Sequence, residues 1–201
     1  TKIGSAVVRF LPFGGGERLP WAEWFEFSFK GAGGNYWNRS LKSIGKDDPI
    51  ATLNAKQWER AGAGDQDSVK QRKRGQKYMS NVLVVNDPMH PENNGKVFLW
   101  QYGPSIHSKI MAAMIPEYED QTPVPVFDMW AGATFRIRIK DKQNFVNYDD
   151  STFDSPSAIH TDDSVLETVY NGMHDLAEFE SEDNYKTHDQ LDGEMRKVLG
   201  A

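Results

Sequence analysis

The chain has 201 residues, 38% of them hydrophobic, with a formal net charge of −6 and no cysteine. That length suits one substantial domain or one domain with an appended subdomain, and the lack of cysteine excludes a disulfide framework, a thiolate metal site and a cysteine nucleophile. No apolar run approaches the roughly 20 residues that span a bilayer and no secretory signal opens the chain, so a soluble intracellular protein is expected.

Residues 5–11 are β-rich and stop at Pro12, ahead of the turn at Gly14, Gly15 and Gly16. In residues 24–30, Phe25, Phe27 and Phe29 alternate with Glu26, Ser28 and Lys30, the period of a strand. Gly31, Gly33 and Gly34 allow a hairpin into residues 35–39, so an antiparallel meander opens the fold. Residues 40–76 are polar and read as an insertion projecting from a barrel, with a short helix at 48–60 led by Pro49. Strands are expected again at 78–85 and 96–102, joined by a turn through Asp87-Pro88 and Asn93-Asn94-Gly95. Gly103-Pro104 then starts a helix whose Ile106, Ile110, Met111 and Met114 recur at helical spacing and cap the barrel. Residues 133–140 form the last strand. Beyond them, Asp162 or Asp163 caps a helix with the stripe Val165, Leu166, Val169, Tyr170, Met173 and Leu176. Thr187 and Gln190 have the form of a capping box ahead of Leu191, Met195, Val198 and Leu199.

The net charge conceals an asymmetry. Residues 1–148 carry 20 Lys and Arg against 15 Asp and Glu, whereas residues 149–201 carry 3 against 14. Most aromatics share the basic part, the pairing that single-strand binding requires: cations along a phosphate path and flat rings for unstacked bases. Four groups supply those ingredients. Lys70, Arg72, Lys73, Arg74 and Lys77 run directly into Tyr78. Phe98, Trp100 and Tyr102 share one strand face, while Val97 and Leu99 make the other face apolar too, so each face needs a partner. Arg136, Arg138 and Lys140 form a basic ladder opposite Phe135, Ile137 and Ile139, with Lys142, Phe145 and Tyr148 following. Tyr36, Trp37 and Arg39, with Arg9 beside them, form the fourth group, in which at most one of the two adjacent rings lines a groove.

Two other readings stand beside this one. Asp149, Asp150 and Asp154, or Glu117, Glu119 and Asp120, offer carboxylates for a metal-dependent nuclease, although the five His show no metal-ligand spacing. Neither a Walker-type phosphate loop nor a nucleophile elbow is present. The alternative to both is an interaction module whose aromatics bind protein.

Taken in order, the residues resemble the helix-destabilising single-stranded DNA-binding proteins of T-even-type phages over nearly the whole chain. The resemblance rests on residues 6–12, residues 81–85, Asp87-Pro88, Pro91-Glu92-Asn93, Gly95-Lys96-Val97-Phe98, and residues 145–148 with Asp149. It implies an α+β, mainly β fold: an oligonucleotide-binding (OB-fold) barrel over residues 1–150, a projecting subdomain inserted at about 40–76, and an acidic helical segment, 151–201, packed on the barrel. It also implies a cleft for sequence-tolerant binding of single-stranded DNA in phage replication, recombination and repair, in the cytoplasm of the infected bacterial host. The family is non-enzymatic and needs no cofactor for this. By matching position, its basic pair falls on Lys73 and Arg74, its base-contacting aromatics on Tyr78, Trp100, Phe145 and Tyr148, and an early basic residue on Arg9. The partners implied are single-stranded DNA, replication and recombination proteins (a polymerase, a helicase loader, a recombinase), and neighbouring copies along the strand. Better-known members fold the projecting subdomain around zinc held by three Cys and a His, whereas this chain has Leu41 and its neighbours there. Residues 40–76 are therefore expected to hold their shape by packing. The family further implies a basic N-terminal arm and an acidic C-terminal tail, so a chain starting at Thr1 reads as a core fragment.

Overall fold

The computed structural model describes residues 3–13, 18–60, 66–143 and 145–200. In chain order these form β1 (Gly4–Phe10), β2 (Ala22–Gly31), β3 (Gly34–Arg39), α1 (Pro49–Arg60), α2 (Gln66–Gln71), β4 (Arg74–Asn86) and β5 (Val97–Tyr102). Then come α3 (Pro104–Met114), β6 (Ala133–Lys142), β7 (Phe145–Asn147), β8 (Thr152–Pro156), α4 (Asp163–Asn171) and α5 (His188–Leu199). The result is a β-rich α+β fold with antiparallel strand pairing. It divides into two compact units, one of Thr1–Ala22 with Tyr78–Leu176, the other of Glu23–Lys77 with Ala177–Ala201. Among the described residues, no helix is long and apolar enough to cross a membrane.

In the first unit β1 lies between β4 and β6, while β5 extends the sheet beyond β4, and β7 and β8 both pair with β6. One face is filled by rings. Phe10 is fully buried and lies within 6.2 Å, centroid to centroid, of Trp100, Tyr102, Phe127, Phe135 and Phe153. Ile106 and Ile110 of α3 join this core, as the helical spacing led one to expect. A smaller cluster brings Leu166 and Val169 of α4 against Leu11, Leu83, Met129 and Val97. The two apolar faces of β5 thus both find partners within the protein: Trp100 and Tyr102 on the ring cluster, Val97 beneath α4.

Arg9 is buried in this unit rather than exposed for a phosphate. Its Nη2 donates to the Asp128 carbonyl at 3.0 Å, and burial lowers its pKa against the opposing pull of the Asp128 carboxylate. The turn that supplies this carbonyl is tight, with Asp128 Oδ1 accepting from the Trp130 and Ala131 amides. Gly132 completes it, because a Cβ there would strike the Asp128 and Pro125 carbonyls and come within 2.9 Å of Arg9 Nη2.

In the second unit β2 and β3 form the hairpin, pairing Phe29 with Tyr36 at a ring separation of 4.8 Å. Burial drives the Tyr36 hydroxyl pKa up. The apolar face of α5, with Leu191, Met195 and Val198, closes over Phe27, Phe29, Tyr36, Leu41 and Ile50. The hairpin turn admits α5 because Gly33 has no side chain: its amide donates to the Val198 carbonyl at 2.9 Å, and a Cβ would run into the Lys197 carbonyl. The expected capping box of α5, Thr187 with Gln190, is present. The expected phase of β2 holds from Phe27 to Lys30 and fails before it. Glu26 is buried, with Lys77 Nζ 3.5 Å away, while Phe25 is half-buried under the Arg74 guanidinium, 3.9 Å from its ring centroid.

Residues 40–60 have a polar organiser. The Asp48 carboxylate is 1% exposed, and it accepts from Ser40 Oγ at 2.9 Å, Leu41 N at 3.0 Å, Ile50 N at 2.9 Å and Ala51 N at 3.1 Å. One side chain thereby caps α1 and ties its start to the end of the hairpin. Arg72, also buried, links α1 to the start of β4 through Asn54 and Gln57. Packing and these two polar knots tie the end of the hairpin, α1 and the start of β4 together.

The unit boundaries differ from the expected domains. Residues 40–76 fall in the unit that also holds β3, α5 and most of β2. The acidic stretch 151–201 is divided, with α4 in the first unit and α5 in the second, because Leu166 and Val169 are buried in one core and Leu191, Met195 and Val198 in another, while Val165 and Tyr170 of the expected α4 stripe are exposed. Replacing Asp48 by Ala orphans three backbone amides and a hydroxyl, and should destabilise the protein by at least about 2 kcal/mol. A urea titration reads this, and an unchanged midpoint would show that the carboxylate carries no weight.

Candidate nucleic-acid interface

The clearest surface for a polyanion lies on β6. Its inward residues Phe135 and Ile137 are buried, so the pleat turns Arg136, Arg138, Lys140 and Lys142 outward and leaves all four exposed. Lys142 and Lys140 are paired across the strands with Phe145 and Asn147 of β7, which sets the Phe145 ring beside the ladder at 75% exposure. A single strand of alternating sequence thus presents cations at every second position, with an accessible ring at its end.

The ladder already has counter-ions. Arg136 Nε bonds Asp154 Oδ1 at 2.7 Å, Lys140 Nζ is paired with Asp150, and Lys142 Nζ lies 3.8 Å from Asp149 Oδ2. Buried Ser151 fixes this acidic turn to β6, its Oγ accepting from the Arg138 amide and donating to the Arg138 carbonyl. Lys109 of α3 adds a bond to the Asp149 carbonyl. The hydrogen bond from Lys140, and then its charge, hold the Asp150 carboxyl below the usual range, while Asp154 raises the Arg136 pKa. Asp150 therefore stays ionised until the pH falls below the ordinary carboxylate range, and neutral pH does not release Lys140. The same pairing weakens the nuclease reading: Asp149, Asp150 and Asp154 face cations of their own chain, and among the described residues no group of three or more acids and histidines is poised for a metal.

The other rings expected in the first unit are mostly interior. Tyr78 is buried, stacked at 3.8 Å on His107 and at 5.7 Å on Tyr102. Tyr102 is buried too, its hydroxyl 2.9 Å from Ser80 Oγ and its pKa pushed up by burial. Trp100 and Tyr148 are half-buried at the margin of the ring cluster.

In the second unit Tyr36 is buried and Trp37 is 67% exposed, so Trp37 is the accessible member of that pair. Arg39 spends its charge within the unit, 4.1 Å from the Trp24 ring centroid and donating to the Phe179 carbonyl at 2.7 Å. Of the basic run, Arg72 is buried and Lys77 faces Glu26, whereas Lys70, Lys73 and Arg74 are exposed. They border a pocket of about 340 Å³ with Phe27, Ala51, Asn54, Trp58 and Val69. Trp58 and Trp130, 51% and 59% exposed, were not anticipated from the sequence. The spacing of Ala51, Asn54 and Trp58 on one helical face was the available signal for the first.

The comparisons agree on one family. The family model described as "gp32 DNA binding protein like" matches residues 2–199. Single-stranded DNA-binding proteins of Enterobacteria phage T4 and Enterobacteria phage T2 are each 34% identical over 200 residues, covering 98% of this chain and 66% of theirs. The chain therefore spans just under two thirds of the length of these relatives.

Proposed function

This chain belongs to the gp32-like family of DNA-binding proteins, and on that premise we propose that it binds single-stranded DNA, with little regard to sequence, during phage DNA replication. The observation that carries this reading is the strand β6, whose buried Phe135 and Ile137 turn Arg136, Arg138, Lys140 and Lys142 out beside the exposed Phe145. Phosphates take the cations and an unstacked base takes the ring, a combination that recognises no base edge. Trp37, Lys70, Lys73 and Arg74 offer the same chemistry in the second unit, with the edges of Trp100 and Tyr148 in the first. Arg9, Tyr36, Arg39, Arg72, Lys77, Tyr78 and Tyr102 act in this reading as the supports of those surfaces. The protein works as a binder rather than an enzyme.

The finer family properties belong to the same proposal. The strands of the first unit make an OB-type barrel; replication, recombination and repair proteins and neighbouring copies are the protein partners; the infected host's cytoplasm is the place of action. Two experiments bear on the central claim. Oligothymidylate of about ten nucleotides or more should quench tryptophan fluorescence at low salt, with log affinity falling against log salt by about 0.7 per phosphate neutralised; an unquenched signal at low salt sinks the proposal. Because the acidic turn already occupies the ladder, replacing both Asp150 and Asp154 by Asn should free Lys140 and Arg136 and tighten binding about 2- to 30-fold, the range two exposed ion pairs permit. Unchanged or weaker binding would remove the ladder from the phosphate path.

A further inference from the structure

Trp58 stands half exposed on α1 at the mouth of a pocket that lies wholly within the second unit. The floor is apolar, made by Phe27, Ala51 and Val69, and its volume of about 340 Å³ is within the range of small-ligand sites. The rim is cationic. The chain turns sharply after α2, the Arg72 amide donating to the Val69 carbonyl at 3.1 Å and the Lys73 amide to the Lys70 carbonyl at 3.3 Å, which gathers Lys70, Lys73 and Arg74 at one edge. Their engagements differ. Lys70 has an exposed contact with Asp67 at 3.4 Å, Arg74 lies over the Phe25 ring, and Lys73 has no ion-pair partner among the described residues. The one polar side chain inside, Asn54, is committed at both ends: its Oδ1 accepts from Arg72 Nε and its Nδ2 donates to the Arg72 carbonyl.

We infer that this pocket is a nucleotide site of the second unit, in which one base of a single strand stacks on the Trp58 indole while Lys73, with Lys70 beside it, takes the adjoining phosphate. The inference rests on the single-strand reading above and adds to it a stacking residue outside the β6 surface. An exposed indole over an apolar floor gives a base a flat partner and shields its other face from water. The cation rim selects an anionic ligand over an apolar peptide. With Asn54 already occupied, nothing in the pocket reads the base's hydrogen-bonding edge, so the site accepts all four bases.

The test uses the whole chain and oligothymidylate, with affinity read by fluorescence anisotropy of a labelled strand so that the removed tryptophan does not affect the signal. Trp58→Ala should weaken binding roughly 5- to 150-fold, the loss expected for one stacked base. Trp58→Phe should recover most of that loss, whereas Trp58→Leu, apolar but without a ring face, should bind as weakly as the alanine variant. Lys73→Gln should flatten the salt slope by about 0.7. Trp130→Ala, an equally exposed tryptophan of the first unit, should bind like the unaltered protein. If Trp58→Ala or Trp58→Leu keeps full affinity while Arg138→Gln loses it, the pocket is not a base site and the single-strand reading survives. If the unaltered protein binds no oligonucleotide, both fall together.

Discussion

The Phe10 ring is the contact on which the first unit depends. It touches five other rings contributed by β5, β6, β8 and the turn at Phe127, and nothing of it reaches solvent. Each aromatic pair adds about 0.5–1.5 kcal/mol beyond the burial itself, while water and salt screen the exposed ion pairs on β6 and leave them little weight in stability. The comparison settles which interactions hold the fold and which are disposable. Rings on the inner face keep β6 in place, and the cations on its outer face can exchange one set of anions for another at small cost to stability.

That division explains the acidic turn. Asp149, Asp150 and Asp154 give the ladder a negative partner of its own, held in register by Ser151. A polyanion approaching β6 meets cations already neutralised in part and must displace carboxylates as well as salt ions. A strand brings many phosphates at once, while the turn brings three carboxylates, so the competition favours a long polyanion over a short one. On the proposed reading of β6, the pairing selects by length without reading sequence.

Much of this was legible in the residues. The alternation in residues 133–140 placed the ladder, Pro49 marked the start of α1, and Thr187 with Gln190 marked that of α5. What local pattern could not supply was the depth of residues on strands apolar on both sides. Tyr78 follows a basic run and looked accessible, but it shares its face of β4 with Ser80 and Val82, all buried. Tyr36 and Trp37 were recognised as alternatives, and only the position of α5 decides that Tyr36 goes inside. Arg9 was expected at the binding surface from its matching position in the family resemblance; the Asp128 carbonyl and the absent side chain at Gly132, more than a hundred residues away, instead give the costly buried guanidinium a place. Asp48 could have been found from its place just before Pro49, where a carboxylate caps a helix.

The second unit is assembled from two stretches of chain, with everything from Tyr78 to Leu176 synthesised in between. Doubling a loop's length adds only about 0.6 kcal/mol to the cost of closing it, so the separation matters less for equilibrium than for timing. On the ribosome, Phe27, Phe29 and Tyr36 emerge early and remain without the helix that covers them until residues 188–199 appear. For that interval the hairpin is a sticky nascent surface, while the first unit, apart from β1 and its flanks, comes off as one continuous piece. The protein therefore completes itself from the middle outward, and its earliest-made hairpin is among the last parts to be sealed.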